Sequence, residues 1–412
     1  MFLSRPAATG VRVVTARSET ADVVIAGTGL TALAMALGLA RANVRVKLVG
    51  VRASGGGARP IALSEASRRI FDRLGVWSEL QRHTQDIRRI VVSERGALSK
   101  VRLNAAESQV SAYGYVIDSE RLGETLSQAV ARHADTIDIV EGTLSCDTVN
   151  STSWVCRISI NGETYQHEAA LVIAADGAGS QIAGRNGIDT LVSTTGQSAI
   201  AARIRPRRIH EGSAFERFTP DGPLALLPLR GGECGLVWCM PTHECERRMA
   251  LDGDAFGAEL QEVFGRSLGG LILASERVGF ELATSHANGL VAERLVLIGD
   301  AANRLHPLAG QGFNLALRDV AELSEQIATF GVVQMSFPER LEAFAVARAT
   351  DHKAVRRFNR GLLGLFNQTA PPVSAVRRLG LALMQSCPWS KERLARRGMG
   401  LGAGMPRWTR TP

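Results

Sequence analysis

The chain has no run of eighteen or more apolar residues free of charge, so a membrane-spanning helix is not expected. Tandem repeats are absent, which sets aside solenoids and propellers. Its six cysteines are scattered through 412 residues, a usage that suits a reducing compartment and not a disulfide scaffold. Cys234, Cys239, His243 and Cys245 fall close together, but their spacing fits no common zinc pattern. Ordinary buried cysteines are the expectation, and no metal is. Basic residues occur without a recognised nucleic-acid module, so a nucleic-acid partner is not expected either. What remains is a globular composition, 45% hydrophobic and 21% charged. The chain is too long for one simple core, and two domains are expected.

Near the N-terminus, Asp22-Val23-Val24-Ile25-Ala26 reads as a short buried parallel strand rich in β-branched residues. It runs into Gly27-Thr28-Gly29-Leu30-Thr31-Ala32 and an Ala/Leu-rich helix through Arg41, with Val44 to Val49 as the next strand. The pattern is that of a dinucleotide-binding βαβ unit. Gly27 allows the tight turn, Gly29 lets the backbone approach a pyrophosphate, and Ala32 stands for the third glycine. One part is missing. The second strand should close on Asp or Glu to bind the adenosine ribose, yet here Leu48-Val49-Gly50-Val51-Arg52 leads into Ala53-Ser54-Gly55-Gly56-Gly57-Ala58. Either Arg52 accepts a 2′-phosphate and the pocket takes NADP, or FAD binds with its ribose held less well, by roughly 1–2 kcal/mol.

A downstream segment favours FAD. The apolar run Leu295 to Ile298 ends in Gly299-Asp300, passes through a loop containing Pro307, and restarts as a helix after Gly310-Gln311-Gly312. A strand thus delivers a carboxylate, and a helix N-terminus aims its unpaired N–H groups and partial positive charge at the same place. In a flavoenzyme Asp300 would accept hydrogen bonds from the ribityl hydroxyls, and the helix would face the reduced flavin ring. A third buried strand, Leu171-Val172-Ile173-Ala174-Ala175, ends in Asp176-Gly177-Ala178-Gly179-Ser180.

With these three motifs, the chain resembles the class A flavoprotein monooxygenases, most closely their ubiquinone-biosynthesis hydroxylase branch. The resemblance runs from about Ala21 to at least Leu323. It includes Arg59-Pro60-Ile61-Ala62-Leu63-Ser64, Leu74-Gly75-Val76-Trp77, the run from Phe215-Glu216-Arg217-Phe218 to Leu227-Pro228-Leu229, Leu236-Val237-Trp238, His306-Pro307 and Ala309-Gly310-Gln311-Gly312-Phe313-Asn314. It implies an α/β fold: a discontinuous Rossmann-like FAD-binding domain with an inserted, mainly antiparallel β-sheet substrate domain and C-terminal helices. The FAD-binding domain would take residues 21–89, 104–198 and 282–335, the substrate domain 90–103 and 199–281. A basic helical region would fill 336–412, and residues 1–20 would form an extension.

The resemblance also implies residue roles. Gly27, Gly29 and Ala32 would face the FAD pyrophosphate, and Arg59 would reach the cofactor from the loop after the second strand. Asp176 and Gly177 match an Asp-Gly motif linked to FAD and NADPH handling. Asp300 matches the ribityl ligand, and Pro307, Gly310, Gly312, Phe313 and Asn314 match the segment lining the flavin ring. Four departures stand out. Gly50 replaces the ribose acid. Ala183 stands where the Asp-Gly motif continues to an arginine, with Arg185 nearby. Asn303 replaces a histidine, and Glu281 a proline.

The implied activity is ring hydroxylation of a polyprenylated phenol, with NAD(P)H reducing FAD and O₂ adding to form a flavin C4a-hydroperoxide. The cofactor carries that chemistry, and no dedicated acid or base is identified. His306, His210, Arg217 and Glu216 are each more readily read as structural.

Charge is uneven along the chain. From Arg340 to Pro412 there are 14 Lys/Arg against 3 Asp/Glu, a net of +11 that leaves about −3 for the rest of a chain whose total is +8. Phe358 to Phe366 and Val376 to Met384 read as two amphipathic helices split by Pro371-Pro372. Such a basic tail can lie on an anionic membrane, cap the flavin domain, or make a dimer contact, and other ubiquinone-biosynthesis enzymes are candidate partners of the chain. A cytoplasmic protein, peripheral on the inner membrane, fits this pattern. Residues 1–20 carry Arg5, Arg12 and Arg17 with no acid before Glu19, and read as an extension or a targeting segment. Two other functions stay open: hydroxylation of a different aromatic, and a non-catalytic paralogue that scaffolds quinone-pathway enzymes.

Overall fold

The computed structural model describes residues 21–51, 59–97, 100–149, 153–307, 310–367, 385, 387–401 and 405–410. The first βαβ unit forms as its sequence requires: β1 (Val23–Ala26), α1 (Leu30–Ala40) and β2 (Val46–Gly50). All four residues of β1 are buried, and nine of the eleven in α1. After it come β3 (Pro60–Ser64), α2 (Glu65–Arg73), α3 (Trp77–Leu80) and β4 (Gln85–Ile87). The hairpin β5 (Arg89–Glu94) and β6 (Lys100–Asn104) precedes β7 (Gly114–Asp118), α4 (Ser119–Ala131) and β8 (Ile137–Glu141). A meander of β9 (Thr143–Val149), β10 (Trp154–Ile160) and β11 (Glu163–Ala169) leads to β12 (Leu171–Ala174) and α5 (Gln181–Arg185).

The second half opens with four strands: β13 (Thr190–Pro206), β14 (Ser213–Phe218), β15 (Pro223–Pro228) and β16 (Cys234–Pro241). Helices α6 (Thr242–Met249) and α7 (Gly253–Phe264) follow, then β17 (Leu271–Leu273) and β18 (Val278–Ala287). The chain closes with β19 (Val291–Ala292), β20 (Leu295–Leu297), β21 (Asn303–Arg304), α8 (Gln311–Phe330), α9 (Val332–Met335), α10 (Pro338–Asn367) and α11 (Pro388–Gly398).

Two large sheets organise these elements. The first has the order β19-β20-β12-β1-β2-β8 and is parallel apart from β19. Helices α1, α4 and α8 cover one face, and the β9–β11 meander covers the other with Cys146, Trp154, Cys156 and Ile158. Burial on both faces explains the uninterrupted apolar runs of β1 and β12. Helices α1 and α8 cross in contact, since a Cβ on Gly38 would lie 2.2 Å from Ser324 Oγ.

The second sheet runs β21-β18-β13-β16-β15-β14-β5-β6, with β17 also on β13. It is antiparallel except where β14 meets β5. Its strands extend past 199–281: β13 starts at Thr190 and β18 continues to Ala287. A register shift between Thr194 and Gln197 lets β13 stay paired with β18 over that whole length. One face packs under α6 and α7 through Trp238, Phe256 and Leu260. The other packs through Ala214, Phe218, Val101 and Leu103 on Ile87 and Val116 of the small sheet β3-β7-β4 and on Ala395 and Met399.

One sequence expectation needs correction. Phe358 to Phe366 is not a separate amphipathic helix but the end of the 30-residue α10. The inner face of α10 is partly ionic, which hydrophobic periodicity does not register: Arg348 and Asp351 pair with Arg318 and Asp319 of α8. Val376 to Met384, Pro371-Pro372 and residues 1–20 lie outside the described residues, as do Arg52 and Ala53 to Ala58. Cys234 and Cys239 sit on opposite faces of β16, in different cores, and share no ligand geometry. Among the described residues no helix is long and apolar enough to cross a membrane.

Candidate functional site

The C-terminal ends of β1, β2 and β12 open onto a crevice, the place where parallel α/β sheets bind nucleotides. Gly27 adopts φ +106°, and a Cβ there would lie 2.4 Å from Ala175 O. Only glycine lets β1 turn while held to both neighbours, by Gly27 N–H donating to Val49 O (2.7 Å) and Ala175 N–H to Ala26 O (2.9 Å). Gly29 has ordinary backbone angles (φ −75°) and caps α1. A Cβ there would meet no atom within 4 Å, so its reason is space in front of the helix. The first turn of α1 holds no acid to compete for its unpaired N–H groups. Ala32 points inward and is buried in the core. A cavity of about 480 Å³ lies here, bounded by Gly27 to Gly29, Gly50, Leu144 and Asp176.

Gly50, the missing ribose acid, packs against that turn. A Cβ there would sit 3.0 Å from Gly27 Cα, and Thr28 Oγ1 donates to Val51 O at 3.1 Å. The strand end is thus tied to the glycine turn by backbone. Asp176 faces the same cavity. Its pKa is raised by desolvation, against hydrogen bonds from Ser180, Gln181 and Ile182 that start α5. Ala183 is fully buried, so the position of the expected arginine is a core position, while Arg185 is exposed at the end of α5.

The Gly-Asp segment arrives from the other side. Gly299 has φ +64°, and a Cβ there would be 3.0 Å from the Thr31 side chain. The backbone before Asp300 therefore lies on the first turn of α1. Asp300 keeps solvent-accessible surface, so the desolvation that raises its carboxyl belongs to a crevice and not to a core; Arg304 and then Arg59 oppose the shift. Arg59 itself stacks 5.5 Å from the Phe280 ring centroid of the second sheet. Asn303 is buried on β21 opposite His286, and Glu281 lies on β18 opposite Ser198.

Gly310 caps α8 in the left-handed conformation (φ +57°), donating to Pro307 O at 3.0 Å. Asn314 does not direct its amide at a ligand. Its Oδ1 accepts from Ser64 N–H (2.8 Å) and Ser67 Oγ (2.6 Å), and its Nδ2 donates to Ala62 O (2.8 Å) and Gly310 O (2.6 Å). All four valences are used to clamp β3 and α2 onto the start of α8. Phe313 leans on Phe71 of α2, ring centroids 6.3 Å apart. Gly312, like Gly29, has nothing within 4 Å of a Cβ. His306 is buried, which pushes its pKa down to about 4 and leaves it neutral at physiological pH.

A second cavity, of about 330 Å³, lies between the start of α8 and the inner face of the second sheet. Ile90, Val92, Val101, Leu103 and Phe218 form its sheet wall, Ala62 to Ser64 of β3 with Gln311 and Asn314 of α8 the wall opposite, and Phe358, Leu362, Ala395 and Met399 its roof. Among the lining residues there is no lysine, arginine or histidine and one carboxyl, Glu216. Its pKa is raised to about 7 by desolvation. Sequence reasoning set Glu216 beside Arg217 and His210, but the three part company here. Arg217 is on the opposite face, donating to Val263 O (2.7 Å), and His210 staples a loop through Leu229 O (3.0 Å) and Gly212 N–H (3.1 Å).

These residues fit FAD. Two long helices start without an acid in the first turn, Gly29 and Gly312 leave open space at those starts, and the exposed Asp300 follows a glycine that packs on the first turn of α1. Residues 20–355 match the family described as FAD binding domain. Ubiquinone hydroxylase UbiL of Rhodospirillum rubrum is 31% identical, over 98% of this chain and 96% of its own. The 3-demethoxyubiquinol 3-hydroxylase of Escherichia coli is 28% identical, over 93% of this chain and all of its own. Among solved structures, p-nitrophenol 4-monooxygenase PnpA of Pseudomonas putida superposes with a TM-score of 0.76 at 16% identity, covering 93% of this chain and 99% of that one.

Proposed function

Because this chain belongs to the FAD-binding-domain family of flavoprotein monooxygenases, we propose that the crevice at β1 holds part of FAD and the apolar cavity beside α8 a polyprenylated phenol. It is an FAD-dependent monooxygenase that hydroxylates a ring in ubiquinone biosynthesis. When bound, FAD supplies a two-electron carrier that NAD(P)H reduces and at which O₂ is activated.

The chain's own residues bind and orient. Gly27, Gly29 and the N-terminus of α1, with Ala32 packed behind it, would hold the pyrophosphate. Asp300 would accept from the ribityl hydroxyls, and Arg59 and Asp176-Gly177 would close the crevice on either side. Gly310, Gly312 and the N-terminus of α8 would stabilise negative charge on the ring, beside Pro307 and Phe313. Asn314 would act at one remove, by fixing where Gly310 stands.

The observation that carries the substrate class is the wall of the second cavity. A carboxylated aromatic acid would enter it without a cation to meet, a desolvation cost of several kcal/mol. A neutral phenol with an apolar tail loses nothing comparable and gains about 25 cal/mol for each Å² of apolar surface it buries. This separates the reading from hydroxylation of small aromatic acids. The test is NAD(P)H oxidation by the FAD-loaded protein with phenols of increasing prenyl length. KM should fall as the tail lengthens, and 4-hydroxybenzoate should not stimulate. Equal response to all of them would overturn the substrate assignment.

We place membrane contact on α11. Ala395 and Met399 face the cavity, whereas Trp389 (66% exposed), Arg393 and Arg396 face outward. A basic face with an exposed tryptophan over the roof of an apolar cavity suits an enzyme that draws its substrate from an anionic bilayer.

A further inference from the structure

On β14 the residues alternate: Phe215 and Arg217 turn to the α7 side, and Ala214, Glu216 and Phe218 to the cavity. An acid thus occupies the middle of an apolar stripe. Its neighbours in register are Ala225 on β15 and Val92 on β5, and neither can pair with it. Among the described residues Glu216 has no hydrogen-bond or ionic partner. The titratable groups on the same side are few. Tyr113 turns its hydroxyl away, to Asn104 O and Ser108 Oγ (both 2.8 Å). The Cys239 thiol of β16 is raised by burial and further by Glu216, and so stays neutral. No charged residue of β5, β6, α8, α10 or α11 lines the cavity. Arg59 is engaged at Phe280 and Asp300.

Folding alone gives no reason for such a group. A half-buried carboxyl in the wall of an apolar cavity with nothing to bond is a cost that a leucine would remove. We propose that Glu216 is the proton acceptor for the substrate's phenol group, making it a catalytic residue of the hydroxylation proposed above, on which this assignment rests. The Glu216 carboxylate takes the phenolic proton, the O–H bonding pair stays on oxygen, and the resulting phenolate is richer in electrons at its ortho and para carbons. O₂ and NAD(P)H supply the oxidant and reductant: one oxygen atom enters the ring and the other leaves as water. The ring carbon gives up its hydrogen as a proton when aromaticity returns, and the Glu216 carboxyl returns its own to the product oxygen or to water. A carboxyl that titrates close to the working pH is well matched to this exchange.

The test uses the FAD-loaded full chain, its Glu216→Gln variant, and a phenol bearing an ortho geranyl group, alongside a ring-fluorinated analogue of lower phenol pKa. We expect unchanged flavin content in E216Q. We expect wild-type kcat/KM to rise with pH through a limb near 7, and that limb to vanish in E216Q with a loss of about 100-fold or more at pH 7.5. The loss should shrink for the fluorinated phenol, which ionises with less help. A readout without turnover accompanies it: E216Q should melt above wild type at pH 8, with the difference nearly gone at pH 4. A wild type that hydroxylates the geranyl phenol beside an E216Q variant that keeps the limb and the rate overturns the assignment alone. A wild type that binds FAD yet hydroxylates neither phenol overturns the function on which it rests, and the assignment with it.

Discussion

Glu216 shows at the scale of one residue how a site is written against stability. Its folded pKa, about 7, lies above the ordinary 4.5. A raised carboxyl destabilises the fold as pH rises from about 4.5 to about 7, and by a constant amount above that. The upper bound is about 3 kcal/mol at pH 8, so calorimetry of E216Q should show a gain of that order there, shrinking as pH falls and nearly absent at pH 4. Gly27 is the converse case, a residue with no side chain because the backbone needs its place. Gly27→Ala would force a methyl against Ala175 O with φ already positive, at a cost of about 2 kcal/mol or more. Reduced flavin-to-protein ratio and a lower Tm are expected together. Asn314→Ala would strand the Ser64 N–H and the Ala62 and Gly310 carbonyls. At about 1–3 kcal/mol for a buried group left unpaired, flavin retention in dialysis should fall sharply.

At the scale of elements, α8 is the hinge between chemistry and support. Its first turn lines the apolar cavity, while Arg318 and Asp319 bind it to α10. Arg318 Nε donates to Asp351 (2.7 Å), Arg348 Nε to Asp319 (2.7 Å), and His352 Nε2 lies 2.9 Å from Asp319. Both carboxyls are held low by these partners despite desolvation, Asp351 at about 2. A depressed acid stabilises the fold above its ordinary pKa, here 3.8, and loses that contribution as pH falls through the folded value. Acid unfolding should therefore carry a component between about pH 4 and pH 2 that Asp351→Asn removes. The same variant leaves Arg318 and Arg348 short of a buried partner and should cost about 3–5 kcal/mol at neutral pH in urea unfolding. Hydrophobic periodicity missed this, because it treats every charge as a surface.

The whole molecule is built on two large sheets, one ending in the nucleotide crevice and the other walling the apolar cavity, with the C-terminal helices as that cavity's roof. Helix α11 joins two demands in one element, apolar toward the cavity and basic toward solvent. A variant carrying Trp389→Ser, Arg393→Glu and Arg396→Glu should lose affinity for vesicles containing anionic lipid in a sedimentation assay. Turnover of a short-tailed, detergent-dispersed phenol should survive, since none of the three lines the cavity.

The sequence by itself determined the βαβ unit, the Gly-Asp strand end, the glycine cap of the long helix and the family. Each of these is a local backbone requirement, a positive φ or a close approach, and so leaves its mark on a few consecutive residues. Gly27, Gly299 and Gly310 were legible for that reason. Gly50 read as a missing ligand, and only the fold put the Gly27 turn against it. Tertiary structure also decided which face of β14 is the inside, and with it that Glu216 and not Arg217 meets the cavity. It gave the Asn314 amide its partners on β3 and α2, and joined a basic tail segment to the core through buried ion pairs. Desolvation and pairing depend on surfaces that meet from distant parts of the chain, and no stretch of β14 records what will be packed against it.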